Sequence, residues 1–421
     1  MDGSHMFHKQ VTDINWPDLA GLLASGASES IGLEFKSEMP NKEEYLKKVS
    51  SLANTYGGHV IIGALGRADG QLLGIPGIPP VQGCRQKLVQ WAYEGCVPPV
   101  EVFVSDKIMV QSSASQACYV VFVPMSGATP HFLTARRGCY IRTDEYSQRF
   151  EPGLATYEEM EHLQHRRGLA SSRREDLRGR AVARFVSFIE SQRRSLSPIG
   201  ATMRLSVAPQ FPVHQLIEPE PLRALVRNQR IAWRWDGFPL TNDPAHVQTQ
   251  LDSALTTNTG EHPTLLEVST WGQQFYGTLI ERLHGEQTGD QPVQGIHLWE
   301  TVGHILAFLE YAKQMCGKLG YDGPFVATVE LVGVRGKPFV HFPYNVPTPG
   351  PASPFDDDVK MEHFISSSDL SQRRDGVAKE LLRGLFFALN WPEQAASDAQ
   401  LEVQLSRGYS FNQWPGRAEV E

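Results

Sequence analysis

Glu29, Glu34, Lys36 and Glu38 crowd into the ten residues ESIGLEFKSE, numbered 29–38, around Ile31, Leu33 and Phe35. If 31–36 is a strand, alternate residues share a face. Leu33 and Phe35 then point to a core, and Gly32, Glu34 and Lys36 point the other way. Glu34 and Lys36 become an acid and an amine side by side, a pairing suited to metal-dependent phosphodiester chemistry. The acid holds a divalent cation, and the lysine holds a phosphate or orients water. Glu29 reaches the same ion if the chain turns back before Ile31. Asp69, in the turn of a following hairpin, is the natural third acid. Mg²⁺ or Mn²⁺ takes oxygen ligands and keeps several waters, so two or three carboxylates suffice. Such an ion polarises a phosphodiester and lowers the pKa of an attacking water or 2′-hydroxyl. The same residues also suit an edge strand whose Glu and Lys face water, and Asp-Gly suits a hairpin turn for local reasons. Glu38 is expected to stand apart, near a helix start.

A second group lies in TARRGCYIRTDEYSQRF, 134–150, with Arg136, Arg137, Arg142 and Arg149 interleaved with Tyr140 and Tyr146. On a strand, Tyr140 and Arg142 share a face. Guanidinium groups suit phosphate, and aromatic rings suit stacked bases. The alternative is a solvated loop paired with Asp144 and Glu145. Nine arginines between 166 and 194 form either a second phosphate track or a charged face paired with Glu175, Asp176 and Glu190. His162 and His165 beside them read as a solvated helix end. Other chemistries lack their signatures. There is no G-x-x-x-x-G-K-[ST], G-x-S-x-G or H-E-x-x-H segment. GALGRADG reads as a hairpin turn. The five cysteines are scattered, with no C-x-x-C pair, so they read as reduced, buried thiols.

The elements that must position these groups are α/β in the first half. In PNKEEYLKKVSSLANTYGG, 40–58, Asn41 caps a helix, Glu43 and Glu44 suit its positive end, and Gly57-Gly58 end it. Its apolar residues Tyr45, Val49, Leu52, Ala53 and Tyr56 recur at helical spacing. HVIIGAL and QLLGI read as strands flanking the turn that carries Asp69. Residues 80–94 read as a helix stopped by Pro98-Pro99, and VEVFV, KIMVQ, ACYVVFVPM and CYIRT as further strands. A helix near 155–166 closes the unit. Residues 164–180, polar, glycine-broken and Arg-rich, are the expected connector. A helix near 181–192 follows. The second half has its own α+β pattern, with strands at TMRLSVA, RIAWRW, TLLEVST and FVATVELVGV, helices at 298–317 and 373–390, and a Pro-rich acidic surface loop at 345–358.

The domain reading is therefore 7–165, a connector at 166–180, and an acidic domain at 181–421, as suits a chain of 421 residues. Residues 1–6 read as an expression-tag remnant. No signal peptide and no run of 18 apolar residues is present, so no membrane span is expected and a cytoplasmic location is. The net charge of −8 argues against coating by nucleic acid. It is unevenly spread: 13 Lys and Arg against 14 Asp and Glu in 1–150, 9 against 7 in 151–195, and 17 against 26 in 196–421. A phosphate-binding surface belongs in the first half or on the connector.

Taken in order, ES…LEFK, LANTYGGHVIIGALGRADGQLLGI and GCYIRT resemble the Alba-like domain of the Schlafen family and its bacterial relatives, over about 20–165. The segment Asn54 to Gly63, Asn-Thr-x-Gly-Gly-x-(apolar)₃-Gly, carries most of the resemblance. It implies an α+β fold, a mixed sheet with flanking helices. Schlafen nucleases carry two glutamates five residues apart and a downstream aspartate, and cut tRNA and other structured RNA with a divalent metal. Glu29 and Glu34 match that pair by spacing, and Asp69 matches the aspartate by its place after the Gly-Gly strand. The resemblance thus implies a metal-dependent endoribonuclease. Its metal ligands would be Glu29, Glu34 and Asp69, with Lys36 on a phosphate. Arg136, Arg137, Tyr140 and Arg142 would lie on RNA or, alternatively, DNA. The vertebrate core has two lobes and a zinc site; this chain shows one lobe and no zinc ligands, and a homodimer would supply the pair. Bacterial single-lobe relatives resemble defence effectors fused to a sensing domain, which would give the second domain a protein or phage-derived trigger. A rival reading is a regulator that holds nucleic acid without cutting it. A third is a scaffold with no nucleic-acid affinity.

Overall fold

The computed structural model describes residue 7 and residues 11–67, 70–113, 115–142, 152–192, 200–228, 247–259, 263–284, 293–321, 324–341, 348–349, 354–389 and 397–411. The chain forms two compact units that divide between Ser171 and Ser172.

In the first unit, α1 (Trp16–Ala24) is followed by β1 (Leu33–Lys36), α2 (Lys42–Asn54) and β2 (Gly58–Ile62). The hairpin β3 (Leu65–Gly66) and β4 (Leu72–Gly74) leads to α3 (Cys84–Gly95) and β5 (Cys96–Val97). Then come β6 (Phe103–Val104), β7 (Ile108–Met109), β8 (Ala117–Val123), β9 (Phe132–Leu133), β10 (Tyr140–Arg142) and β11 (Pro152–Leu154). Local chemistry explains α2. The Asn41 side chain accepts the Glu44 N–H at 2.9 Å, which satisfies an orphan donor of the first turn. Because β1 and β2 are parallel, with Glu34 opposite Val60, they need a crossover, and α2 supplies it. β2 then runs antiparallel to β8, which also pairs β6 and β7.

The sheet has apolar cover on both faces. Val60, Ile62, Tyr119 and Val121 pack with α2 and α3 residues such as Val49, Leu52 and Leu88. Leu33, Phe35, Ile61 and Val120 pack on the other side with Leu19 of α1 and Leu72 of β4. The double glycine after α2 is steric in origin. Gly58 has φ 145, and a Cβ there would lie 2.1 Å from the Gly32 carbonyl oxygen. The expected helix at 40–58 stops at Asn54, so Tyr56 leaves the apolar stripe and is exposed.

The residues expected as the connector, 166–180, contain the division between the two units and are helical throughout. α4 (Tyr157–Gln192) is one helix of 36 residues running through 166–180, and it crosses the division between the units. The polar, glycine-broken composition masks buried Leu163, Ala170, Leu177 and Ala181, which recur at helical spacing. Gly168 and Gly179 are isolated, and single glycines weaken a helix without ending it.

The second unit is built on a seven-stranded antiparallel sheet with the order β13-β14-β15-β16-β12-β19-β22. Its strands are β12 (Thr202–Pro209), β13 (Gln248–Thr249), β14 (Ser253–Asn258), β15 (Thr264–Ser269), β16 (Gln274–Leu279), β19 (Phe325–Val332) and β22 (Asp358–Ile365). A smaller sheet joins β17 (Glu281–His284), β18 (Val293–His297), β20 (Phe339–His341) and β21 (Thr348–Pro349). The helices are α5 (Pro219–Asn228), α6 (Leu298–Leu319), α7 (Ser367–Gln372), α8 (Arg374–Ala388) and α9 (Asp398–Phe411). α6 is buried along most of its length, among Leu205, Val329, Leu381 and Leu401. The strands expected at TMRLSVA, TLLEVST and FVATVELVGV and both expected helices are present. The strand expected at RIAWRW lies outside the described residues. Among the described residues, no helix is long and apolar enough to cross a membrane.

Candidate functional site

The chain turns back at Ile31 and Gly32, not before Ile31. Ser30 and Leu33 exchange backbone hydrogen bonds, the Ser30 N–H donating at 3.0 Å and the Leu33 N–H at 3.3 Å. This tight turn lets Glu29 lie beside β1, where its Oε1 accepts the Phe35 N–H at 2.9 Å. On its other side, the Glu29 N–H donates to the Gly70 carbonyl at 2.8 Å, and Ser28 bridges Gln71. Gly70, the residue after Asp69, thus meets the Glu29 backbone. Asp69 itself lies outside the described residues. Burial pushes the Glu29 carboxyl above its usual range; the Phe35 hydrogen bond opposes this, and the neighbouring Glu34 charge adds to it. The two glutamates therefore share one poorly solvated neighbourhood.

Glu34 is placed differently from the open strand face expected of it. It is 3% exposed, beneath α2. Its Oε2 accepts from Arg142 Nη2 at 2.9 Å, and its Oε1 lies 2.8 Å from Lys48 Nζ and 3.3 Å from Lys36 Nζ. One carboxylate thus meets cations from β1, α2 and β10. A buried charge is tolerated only when it is paired and hydrogen-bonded in this way. Lys36 also reaches Glu44 at 2.7 Å. Burial works against the Lys36 ammonium, but hydrogen bonding to Glu44 and the charges of Glu34 and Glu44 outweigh it and hold its pKa above the usual value. Glu38 is exposed, as expected.

The turn after α2 holds this arrangement. Asn54 is buried; its side chain donates to the Tyr140 carbonyl at 2.9 Å and the His131 carbonyl at 3.1 Å, and accepts the His131 N–H at 2.9 Å. Thr55 Oγ1 accepts the Arg142 N–H at 2.9 Å. Arg166 of α4 donates to the Thr55 and Asn54 carbonyls at 2.8 and 2.7 Å, satisfying the exposed end of α2. Burial brings its guanidinium down to about 10. His162 and His165 are exposed on the same helix, but Arg166 is not part of a solvated face.

The segment expected to meet nucleic acid splits. Arg136 and Arg137 are exposed in the turn between β9 and β10, and Arg136 reaches Glu43 at 2.8 Å. Tyr140 and Arg142 are buried, at 8% and 2% exposed, which takes both out of direct contact with a nucleic acid in this structure. The face they share by strand alternation is the inward one, on which Arg142 meets Glu34. Asp144, Glu145, Tyr146 and Arg149 lie outside the described residues. The arginines of α4 beyond Ser171 serve the second unit. Arg178 pairs Glu330 at 3.0 Å, Arg180 pairs Asp252 at 2.7 Å, and Arg184 contacts Glu267.

Among the described residues, no group of three His, Cys, Asp or Glu side chains is placed to hold a metal ion. Carboxylate oxygens are the donors Mg²⁺ or Mn²⁺ takes, and Mg²⁺ is commonly held by one or two of them, with waters and substrate phosphate completing its shell. Glu29 and Glu34 are donors of that type, and both Glu34 oxygens already meet cations. Lys48 was missed from sequence, and so were the roles of Asn54, Thr55 and Arg166. Lys48 carried a signal, since it falls on the buried stripe three residues after Tyr45 and four before Leu52.

Residues 29–151 match the family described as Schlafen, AlbA_2. No curated protein matches the chain. The matched segment begins at Glu29 and takes in the acid pair, Lys48, the Asn54 turn and Arg142. The first unit of this chain carries a Schlafen AlbA-type domain.

Proposed function

We propose that this chain is a metal-dependent endoribonuclease acting on tRNA or other structured RNA, with Glu29 and Glu34 as its paired acids. A Schlafen AlbA-type domain supports a nucleic-acid-related function. The observation that carries the finer reading is the turn at Ser30, which brings Glu29 back beside β1 and next to Glu34. Glu29 and Glu34, with Asp69, would hold Mg²⁺ or Mn²⁺, which polarises a phosphodiester and activates water or a 2′-hydroxyl. Lys36 is the cation of the cluster nearest the surface, with 22% of its side chain exposed, and meets a phosphate entering the site. Arg136 and Arg137 stand exposed to hold the RNA backbone. The acidic second unit, 181–421 in this reading, senses a protein or phage-derived trigger in a cytoplasmic defence effector. A homodimer supplies the second lobe.

Glu29→Gln is the decisive variant, because Gln keeps an acceptor for the Phe35 N–H and leaves the Glu34 ion pairs in place. Purified chain is incubated with tRNA and Mg²⁺ or Mn²⁺. Wild type is expected to cleave, and Glu29→Gln to lose about 100-fold or more, the scale for removing one group that acts on the reacting centre. Equal cleavage by both, or none by wild type across several RNAs and DNA, refutes the reading. A second reading, a regulator that binds without cutting, is favoured by one observation: Glu34 is already neutralised by Arg142, Lys48 and Lys36. It requires salt-dependent binding by both proteins, with no metal requirement and no cleavage.

A further inference from the structure

The acids of the α2 first turn have different partners. Glu44 reaches Lys36 of β1 at 2.7 Å. On Glu43 a single oxygen, Oε1, is met by Lys47 Nζ at 2.9 Å and Arg136 Nη2 at 2.8 Å. These cations come from different elements, α2 and the turn between β9 and β10. An ammonium and a guanidinium converging on one anionic oxygen is the geometry that a nucleic-acid phosphate takes. Lys47 Nζ also stands 5.8 Å from the centre of the Tyr140 ring. The turn itself is unusual. Arg137, next to Arg136, has φ 50, a left-handed conformation that a non-glycine residue holds only when its surroundings impose it. The Arg137 N–H donates to the Leu133 carbonyl at 2.8 Å, closing the turn that aims Arg136 at α2. Lys47, and then Arg136, hold the Glu43 carboxyl below its usual range, so it is ionised at neutral pH. All three side chains are accessible, with Arg136 57%, Glu43 46% and Lys47 30% exposed.

We infer that Lys47 and Arg136 form a phosphate subsite for the backbone of the bound nucleic acid, and that Glu43 occupies it until nucleic acid displaces it. The inference rests on the nucleic-acid reading above and adds Lys47, Glu43 and a direction of approach to it. Glu43 adjoins Glu44 in sequence, Glu44 holds Lys36, and Lys36 reaches Glu34. The bound strand thus enters along the first turns of α2. An exposed ion pair contributes little, so exchanging the carboxylate for a phosphate costs little.

The test measures binding and not cleavage. Fluorescently labelled tRNA is titrated with full-length protein in EDTA, by anisotropy, across a salt series. Glu43→Gln is expected to bind about two- to fivefold more tightly, as when one competing exposed ion pair is removed. Arg136→Ala and Lys47→Ala are expected to bind more weakly, each lowering the salt slope by about 0.7–0.9 for one lost phosphate contact. Glu43→Gln/Arg136→Ala is expected to lose the gain. Thermal melts matching wild type confirm that these surface variants fold. If wild type binds no nucleic acid, the parent reading fails and the subsite with it. If wild type binds but Glu43→Gln is unchanged or weaker, or Arg136→Ala has no effect, the subsite alone is overturned.

Discussion

Two glutamates five residues apart have different physical lives. Glu29 is half-buried and accepts one backbone hydrogen bond, and burial raises the pKa of its carboxyl. Glu34 is the anion on which Arg142, Lys48 and Lys36 converge. Removing its charge takes from Lys48 and Arg142, both buried, the carboxylate they pair with, whereas Lys36 keeps Glu44. Glu34→Gln is therefore expected to destabilise the first unit by about 3–5 kcal/mol, the range for breaking a buried ion pair from one side. Urea unfolding followed by tryptophan fluorescence measures this, and a loss below about 1 kcal/mol, the ceiling for most exposed pairs, would show that Glu34 is not held as described. Loss of activity in a Glu34 variant is thus ambiguous where loss in Glu29→Gln is not. The alternation of LEFK placed Glu34 and Lys36 on one face correctly. It could not show that α2 covers that face, because coverage depends on a crossover that brings Lys48 from twelve residues further along.

At the scale of elements, α2 and its double-glycine stop were legible because capping and helical periodicity are local. Asn41, the Glu43 and Glu44 pair and Gly57-Gly58 act within a few residues of where they stand. α4 was not legible. Its many arginines and two glycines resemble a connector, and the apolar stripe through Leu163, Ala170, Leu177 and Ala181 is thin. In the helix, Gly168 and Gly179 are exposed, and a Cβ at either position meets nothing within 4 Å. Gly168→Ala and Gly179→Ala are therefore each expected to stabilise the chain by about 0.5–1 kcal/mol. Chemical denaturation measures it. No gain in either variant would mean that 166–180 is not helical in solution.

For the whole molecule, charge and division agree on where nucleic acid belongs. The excess of acid lies in 196–421, and the Schlafen AlbA-type domain lies before the division at Ser171. A chain ending at Ser171 is expected to bind tRNA within about threefold of the full chain and with a similar salt slope, since phosphate contacts dominate such affinity. A chain starting at Ser172 is expected to bind none. Anisotropy titrations check both, and binding by the second fragment would move the nucleic-acid surface to the acidic unit.

By itself the sequence determined the class of both units, the helix and strands around Asn54 to Gly63, the family resemblance, and the five-residue spacing of the two glutamates. Those properties follow from local propensity, periodicity and fixed spacing. Only the tertiary structure decided what surrounds the glutamates. Arg142 comes from 108 residues beyond Glu34, and Arg166 of α4 closes the end of α2 from 111 residues beyond Thr55. Such partners meet through chain topology, and no short-range pattern records them. Burial then selects among residues that look alike in sequence. Arg142 is turned inward to neutralise a carboxylate, while Arg136, six residues earlier, stays in water where a phosphate can reach it.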